Sequence, residues 1–519
     1  MSSSLGRKTI NGLKWSYLAT IISALIQVVY TMVINRLLSP VDFGLVAMAN
    51  VVLRFGSYFA QMGLGTAIVQ KKDLSATDIR ATFTLALLFS VVIYSLIYFL
   101  APYLIHLFDE PNPSLVPIIQ LLGVTFIING VTAISQNLLR KHMKFKTLSV
   151  TEVSTYFIGY VLVGITLALM GYGVWSVVYA AIVQSGLNLI ALYAQVKHSL
   201  KPIFGFRYFR PILSYGSQVS LISFMEFLKT NLDTLLIGKT LGFYNLGLYN
   251  RALIAIRLPL VQINTSLSRV IFPAFSTIQS DLKKLSGLYL QSTMLLASLI
   301  LSLTGFCFGA ATEIILILLG EKYLSVVPVF RVLTLGIGFN YIAALGGIVC
   351  DATAYLKPKS IFTILHLSAV AGLIYLFKSY GLVGIAWAMT ISYWLKMVGF
   401  AILLKPLLPF TFKALGRQLI PGSMNATILG GLGFGLSNLL HQQEIPLLLR
   451  FALCCLAALL IFIFIIRLPY NKPLRDFISD KILPTYESKI RAGGPVAQVL
   501  AFMKFDYQHA TLQQNGNNN

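Results

Sequence analysis

The sequence predicts an all-α integral membrane protein of about 14 transmembrane helices, arranged as two six-helix lobes followed by two C-terminal helices. Three observations predict this class: long apolar segments, basic residues confined to alternate connections, and a repeat that relates the two halves of the chain. Of the 519 residues, 57% are hydrophobic and only 11% are charged, whereas a soluble domain is about 25% charged. Because lipid offers the backbone no hydrogen-bond partner, such a chain crosses a bilayer as helices.

Fourteen segments are apolar over the length of roughly 20 residues that a hydrocarbon core needs. They lie at 13–36, 43–68, 82–104, 115–138, 153–170, 174–195, 212–236, 244–269, 288–310, 326–349, 360–378, 382–404, 418–440 and 446–466. The first segment contains Gln27 and Asn35, and no A-x-A cleavage site follows it. We therefore interpret it as a transmembrane span and not as a signal peptide.

Lysine and arginine are concentrated before the first span, in the even-numbered connections and after the last span. These basic clusters lie at 7–14, 71–80, 140–146, 197–210, 283–284, 357–359, 405–417 and 467–504. The odd-numbered connections hold only Lys239, Lys322 and Lys378, with Arg36 at a helix end. This positive-inside asymmetry predicts that both termini are cytoplasmic. We therefore attribute the net charge of +23 to basic connections that contact anionic membrane lipids, and not to a nucleic-acid binding surface.

The same pattern predicts the domain organisation. We expect a cytoplasmic N-terminus (1–12), an N-lobe (13–200), a C-lobe (201–404), two further spans (405–466) and a basic cytoplasmic tail (467–519). The tail ends in QQNGNNN and is expected to be partly disordered. All outer connections are short, which leaves no room for an extracellular or catalytic domain.

An internal repeat relates the two predicted lobes. The segment RLLSPVDFGLVAMANVVLRF (36–55) aligns with KTLGFYNLGLYNRALIAIRL (239–258) at an offset of 203 residues, which pairs Gly44 with Gly247 and Arg54 with Arg257. A weaker similarity pairs 170–178 with 378–388. Repeats of six spans each are parallel, and substrates of such proteins bind between the halves.

Arginines inside the predicted spans are the principal candidates for function. Arg54 and Arg257 lie near the middle of spans 2 and 8, where a charged side chain is costly and usually faces a bundle interior or a wet cavity. Two guanidinium groups there favour an anion, and arginine is suited to bidentate binding of phosphate. Arg251 is a further candidate for the same anion. Arg331 and Lys396 lie nearer helix ends and are weaker candidates for the cavity.

Three charged residues share one face of span 7. Glu226, Lys229 and Asp233 are spaced i, i+3 and i+7, so they face protein or water and not lipid. Two interpretations stay open at this point. The residues form a salt-bridge ladder that orients the helix, or the surplus carboxylate binds a proton or a sodium ion or holds an arginine of span 8.

The sequence shows no feature of an enzyme. It contains no nucleophile triad, no cluster with metal-ligand spacing and no phosphate loop of the Walker type. We therefore expect no catalytic residue, no metal and no bound cofactor, apart from coupling to an H⁺ or Na⁺ gradient.

Five segments resemble the Wzx-type polysaccharide flippases of the multidrug/oligosaccharidyl-lipid/polysaccharide (MOP) superfamily. They are NRLLSPVDFGLVAMA (35–49), GLGTAIVQKKD (63–73), QNLLRKHMKFKTLS (136–149), GYGVWSVV (171–178) and NLDTLLIGKTLGFYNLGLYNRA (231–252). The resemblance implies alternating access and the export of an undecaprenyl-pyrophosphate-linked oligosaccharide across the bacterial inner membrane. It also implies that Arg54 and Arg257 bind the pyrophosphate. A polysaccharide polymerase and chain-length machinery are the partners that this role would imply.

Other functions stay open from the sequence alone. A cation-coupled multidrug exporter or a peptidoglycan lipid-precursor flippase of the same superfamily would share the fold, although the arginines disfavour a site for organic cations. An integral-membrane polysaccharide polymerase or ligase would need a larger outer loop than this chain has. The identity of the glycan, whether for lipopolysaccharide, capsule, exopolysaccharide or a teichuronic-type polymer, is not encoded in a recognisable motif.

Overall fold

The computed structural model describes residues 2–61, 68, 74–109, 111–204 and 206–477. Within these ranges the side chains are described except at 2–14, 16–17, 58–61, 107, 206–226, 229, 262, 264–270, 273, 473 and 477. The described chain is helical throughout and contains no strand, which confirms the predicted all-α class.

Fifteen helices follow one another along the described chain. The first six are α1 (Ser2–Leu37), α2 (Pro40–Gln61), α3 (Ala76–Leu104), α4 (Leu115–Lys141), α5 (Phe145–Leu169) and α6 (Val174–Gln195). The next are α7 (Phe206–Thr277), α8 (Leu282–Gly309), α9 (Ala311–Leu318), α10 (Val327–Ala352) and α11 (Leu356–Phe377). The last are α12 (Gly381–Leu404), α13 (Phe412–Gln442), α14 (Leu447–Ile466) and α15 (Lys472–Phe477).

Two helices depart from regular α-geometry. Helix α7 breaks at Gly242, where φ is 76° and ψ is 174°. Because this backbone conformation strains any residue with a Cβ atom, glycine permits two predicted spans to follow each other without a loop. Helix α5 contains a π-helical segment, Phe157–Gly164, a feature that often occurs at functional sites.

The predicted spans correspond to these helices. Ten segments of the described chain are long and apolar enough to cross a membrane, and one of them, Leu356–Leu404, contains two of the predicted spans. Of the three predicted spans outside this set, 43–68 begins in α2 and continues beyond the described residues, and the other two lie in the two arms of α7. The count of fourteen therefore stays a prediction, whereas the multi-pass helical class is confirmed.

The described chain forms two compact units. The first contains the residues up to Asn264 together with Ala311–Ile337 and Leu356–Gly399. The second contains Thr265–Ala310, Gly338–Tyr355 and the described residues from Phe400 onward. The division into lobes near residue 200, like the predicted tail from 467 onward, stays a prediction.

In the first unit, the predicted repeat appears as a reciprocal helix crossing. A Cβ atom on Gly44 would overlap the backbone carbonyl of Phe243, and a Cβ atom on Gly247 would overlap that of Pro40. Pro40 and Phe243 are themselves 203 residues apart, so exchanging the two halves of the repeat turns each of these two contacts into the other. Such self-complementarity is the property of a two-fold contact. We call this crossing of Pro40–Gly44 with Phe243–Gly247 the glycine seam.

In the second unit, α8 packs closely along α13. A Cβ atom on Gly305 would lie 2.6 Å from the Cα atom of Ala426, and one on Gly309 would lie 2.9 Å from the Cα atom of Gly433. Small residues on both helices thus permit the backbones to approach closely, as is common in membrane helix pairs. The face of α13 that contains Gly430 and Gly433 is therefore a packing surface.

Candidate functional site

The two arginines that the repeat pairs lie on α2 and on the second arm of α7. The Arg54 side chain is exposed, and its neighbour Phe55 packs edge-on against Phe227, with ring centroids 5.5 Å apart. The Arg257 side chain is half-buried and interacts electrostatically with the buried phenol of Tyr249. Both contacts lead to the first arm of α7, because Phe227 belongs to that arm and Tyr249 binds to it.

Tyr249 connects Arg257 to the one charged residue of the span-7 stripe whose side chain the structure describes. Its hydroxyl donates to Oδ2 of Asp233 over 3.0 Å. The other carboxylate oxygen, Oδ1, accepts from the backbone N–H of Thr234 over 2.8 Å. Asp233 is only 5% exposed, so water contributes little to its solvation. Among the described contacts, these two donors stabilise its carboxylate. The side chains of Glu226 and Lys229 lie outside the described residues, and the predicted ladder stays a prediction.

Arg251 has different surroundings from Arg257. Its guanidinium carbon lies 4.0 Å from the centroid of the Phe43 ring, and Nη2 donates to Oδ1 of Asn250 over 3.1 Å. The group also interacts electrostatically with the phenols of Tyr323 and Tyr30. Arg251 and Arg257 are six positions apart, which corresponds to a helical turn of about 600°, so the two side chains point roughly 120° apart. The structure therefore places Arg251 in a cluster of its own.

The tyrosines near Arg251 continue into the first half of the chain. The Tyr30 ring packs edge-on against Tyr160 and Tyr156, with centroid distances of 5.3 and 6.4 Å. Tyr156 and Tyr160 stack at 4.8 Å at the start of the π-helical segment of α5. The sequence analysis did not single out these residues or Tyr323. The i, i+4 spacing of Tyr156 and Tyr160 was the only local signal for them.

Arg331 and Lys396 lie on two further helices, α10 and α12. Nη2 of Arg331 lies 3.4 Å from the hydroxyl of Thr312, and its charge is attracted by Glu313, which is fully buried. Lys396 is 9% exposed and lies on α12. Their assignment to a cavity stays a prediction.

One end of the first unit is closed by contacts between segments of the two predicted halves. Arg36 donates to the carbonyls of Leu316 and Ile317 over 3.4 and 2.9 Å, while Lys322 donates to the carbonyls of Arg36 and Leu38. These contacts join the connection after span 1 to the connection after span 9, on opposite sides of the repeat.

A matching set of contacts joins the connection after span 3 to the connection after span 7. The backbone N–H of Asp109 donates to the carbonyl of Lys239 over 3.2 Å, and the Phe108 and Phe243 rings lie 5.3 Å apart. Phe243 belongs both to this set of contacts and to the glycine seam. All four connections are odd-numbered, and the charge pattern predicts that they are outside the cell. Within the first unit, segments of the two predicted halves are therefore in contact at the predicted outer end, and we call this arrangement closed.

Comparison with known proteins places this geometry in context. A family model described as "Polysaccharide biosynthesis protein" matches residues 33–328, more than half of the chain. The lipopolysaccharide biosynthesis protein WzxC of Escherichia coli (strain K12) is 26% identical over 64% of this chain and 67% of its own length. The teichuronic acid biosynthesis protein TuaB of Bacillus subtilis (strain 168) is 24% identical over 89% of this chain and 96% of its own.

Two solved structures share the fold. The lipid II flippase MurJ in an inward closed conformation matches with a TM-score of 0.69 and 16% identity, over 88% of this chain and 99% of its own. An inward-facing multidrug resistance MATE family transporter of the MOP superfamily matches with a TM-score of 0.59 and 15% identity, over 78% and 95%. At such identities the likeness shows the fold alone, and it confirms the predicted MOP-type architecture.

Proposed function

Because this chain belongs to the polysaccharide biosynthesis protein family, we propose that it flips an undecaprenyl-pyrophosphate-linked oligosaccharide from the cytoplasmic to the outer leaflet of the bacterial inner membrane. Relatives named for lipopolysaccharide and teichuronic acid biosynthesis support a glycan cargo. A fold shared with a lipid II flippase is compatible with a lipid-linked one.

Arg54 and Arg257 bind the pyrophosphate in this proposal. The observation that carries it is that the repeat places one arginine at the same position of each half, and that the Arg54 side chain is exposed on its helix. Two arginines at matched positions provide paired donors for two phosphate groups. A fold shared with a multidrug transporter does not imply a shared substrate, since cationic side chains repel organic cations.

Transport follows from the closure at the predicted outer end. With the glycine seam shut, the headgroup enters from the cytoplasm, and the lipid tail stays in the bilayer. Separation of the seam then exposes the headgroup outside, where a polymerase and its chain-length machinery consume the glycan. The driving force acts through Asp233, whose buried carboxylate is linked by Tyr249 to the neighbourhood of Arg257. A proton or sodium ion bound there would weaken this link and change the affinity for the anion.

The test is a flipping assay with purified protein in liposomes. The vesicles contain an undecaprenyl-pyrophosphate oligosaccharide, and an impermeant sugar oxidant measures how much glycan crosses the bilayer. Arg54→Ala/Arg257→Ala removes two charge-assisted contacts of about 1.5 kcal/mol or more each, so transfer should fall by about a hundredfold or more. Arg417→Ala, at an exposed position of α13, is the matched control and should retain wild-type transfer.

Two outcomes would count against the proposal in different ways. Wild-type transfer by the double variant would remove the assignment of Arg54 and Arg257 while the flippase activity stood. No transfer by folded wild-type protein, with a membrane potential and ion gradients imposed in turn, would remove the proposed cargo itself.

A further inference from the structure

Three buried polar atoms around Arg251 have no hydrogen-bond partner in the part of the chain that the structure describes. They are Nε of Arg251 and the hydroxyl oxygens of Tyr30 and Tyr323. Tyr323 is fully buried and Tyr30 is 9% exposed, and both phenols interact electrostatically with the Arg251 guanidinium. Since nearly all buried polar groups in proteins are hydrogen-bonded, three neighbouring exceptions indicate a ligand or a bound water that completes the set.

The chemistry of this cluster fits a phosphate group. A guanidinium offers several N–H donors in a planar fork, and each tyrosine hydroxyl offers one more. Asp42, a carboxylate that interacts electrostatically with Tyr323, already accepts from the backbone N–H and the hydroxyl of Ser39 over 2.8 and 2.7 Å. Lys322 adds a second positive charge beside Tyr323. The cluster therefore has an excess of donors and of positive charge, which an oxyanion would balance.

The cluster is assembled from separate segments that the structure brings together at the predicted outer end. Tyr30 is on α1, Arg251 is on the second arm of α7, and Tyr323 is on the short 3₁₀ turn Glu321–Val326. Phe43, which is 2% exposed, covers the guanidinium. Phe43 directly precedes Gly44, so opening of the glycine seam would move this ring away from Arg251.

We propose that Arg251, Tyr30 and Tyr323 form a second phosphate site on the release side, which Phe43 covers until the seam opens. This inference rests on the proposed flippase function and adds a second binding site along the transport path. Six helical residues separate Arg251 from Arg257, a rise of about 9 Å. A diphosphate that leaves Arg257 passes outward over this distance to Arg251 when the lobes reorient. The first site takes the anion from the cytoplasm, and the second holds it until it leaves.

The test removes the two hydroxyls and retains the rings. In Tyr30→Phe/Tyr323→Phe, the affinity for undecaprenyl pyrophosphate in detergent should stay within about twofold of wild type, because entry uses the other arginines. The flipping rate in liposomes should fall about tenfold. Without lipid, the thermal midpoint should stay level or rise, because the substitution removes two buried hydroxyls that lack partners. Tyr289→Phe, at a buried tyrosine of α8 in the second compact unit, is the control and should flip at the wild-type rate.

A second variant separates the two sites. Arg251→Gln should slow flipping by at least tenfold while the affinity for undecaprenyl pyrophosphate stays close to wild type. An affinity loss as large as that of Arg54→Ala/Arg257→Ala would show that Arg251 belongs to the entry site, and would overturn the inference.

The remaining outcomes are also decisive. An unchanged flipping rate in Tyr30→Phe/Tyr323→Phe, beside active wild-type protein, would overturn the second site and leave the proposed function standing. A clear fall in its thermal midpoint without lipid would assign the hydroxyls a structural role and overturn the inference. If wild-type protein itself moved no lipid-linked glycan, the proposed function would fail first.

Discussion

Closure of the predicted outer end depends on the absence of side chains at two positions. We predict that Gly44→Ala holds this end open. An ideal Cβ atom on Gly44 would lie 2.7 Å from the carbonyl carbon of Phe243 and 3.1 Å from its Cα atom, whereas carbon atoms pack best at about 3.5–4.0 Å. The opposing atoms are backbone and cannot rotate away, so the helices would have to separate by about 1 Å.

The expected size of the effect follows from this overlap. Overpacking of this kind costs about 1–3 kcal/mol, and the open state does not bear the cost. The ratio of closed to open molecules should therefore fall by about 5- to 150-fold. Gly247→Ala should have a similar effect, because its Cβ atom would lie 2.7 Å from the carbonyl carbon of Pro40. The two substitutions act on one contact, so their effects should not add.

Cysteine labelling would measure the opening. Leu246 is a fully buried residue of the seam, and Leu246→Cys supplies a reporter that an impermeant maleimide reaches from outside only in the open state. The other native cysteines are replaced, and Cys350, which is fully buried, is kept as a monitor of unfolding. Labelling at position 246 should become at least fivefold faster in Gly44→Ala.

The control for this experiment is Gly186→Ala on α6, where an added Cβ atom meets open space. It should leave the labelling rate unchanged. Equal labelling rates in Gly44→Ala and Gly186→Ala would refute the reasoning. Faster labelling of Cys350 together with position 246 would show unfolding in place of gating, and would equally contradict it.

Three further predictions concern other parts of the protein. Asp233→Asn should make flipping insensitive to an imposed pH or sodium gradient, and a gradient response equal to that of wild type would exclude this carboxylate from coupling. Gly305→Ala should lower the free energy of unfolding by about 1–3 kcal/mol, because its Cβ atom would meet the Ala426 backbone, whereas Gly435→Ala, which faces open space, should not; denaturant unfolding compares them. Burial lowers the pKa of His198 more than its contact with the next carbonyl raises it, so its contribution to stability should be present above about pH 6.5 and decline below it; a thermal midpoint whose pH dependence is the same in His198→Phe would contradict this.

The helices were predictable because span length is set by the bilayer and not by tertiary packing. The segments 82–104 and 446–466 correspond to α3 and α14, since a run of some 20 apolar residues has few other stable conformations. The break between spans 7 and 8 was predictable for a similar reason, although only the structure shows that it is a single glycine, Gly242. The π-helical segment in α5 left no signal, because 157–164 is uniformly apolar.

The candidate site was only partly predictable. Charged residues such as Arg54, Asp233 and Arg257 stand out because they are rare in apolar segments. Tyr30 and Tyr323 do not stand out, since tyrosine is common in membrane helices and the two lie far apart in sequence. Their contact with one guanidinium arises from the fold, and no local spacing encodes it.

The repeat separates the arginines into two kinds. Arg54 and Arg257 occupy equivalent positions, as expected of a site that lies on the pseudo-two-fold axis and meets both halves alike. Arg251 has Met48 as its equivalent, and Phe43, which covers it, has Leu246. A contact between a cation and an aromatic ring therefore exists on one side of the repeat and has no counterpart on the other. Symmetric positions suit an entry site that both halves share. The asymmetric contact instead places one covered cation, Arg251, at the seam, and exposure of this cation reports whether the predicted outer end is open.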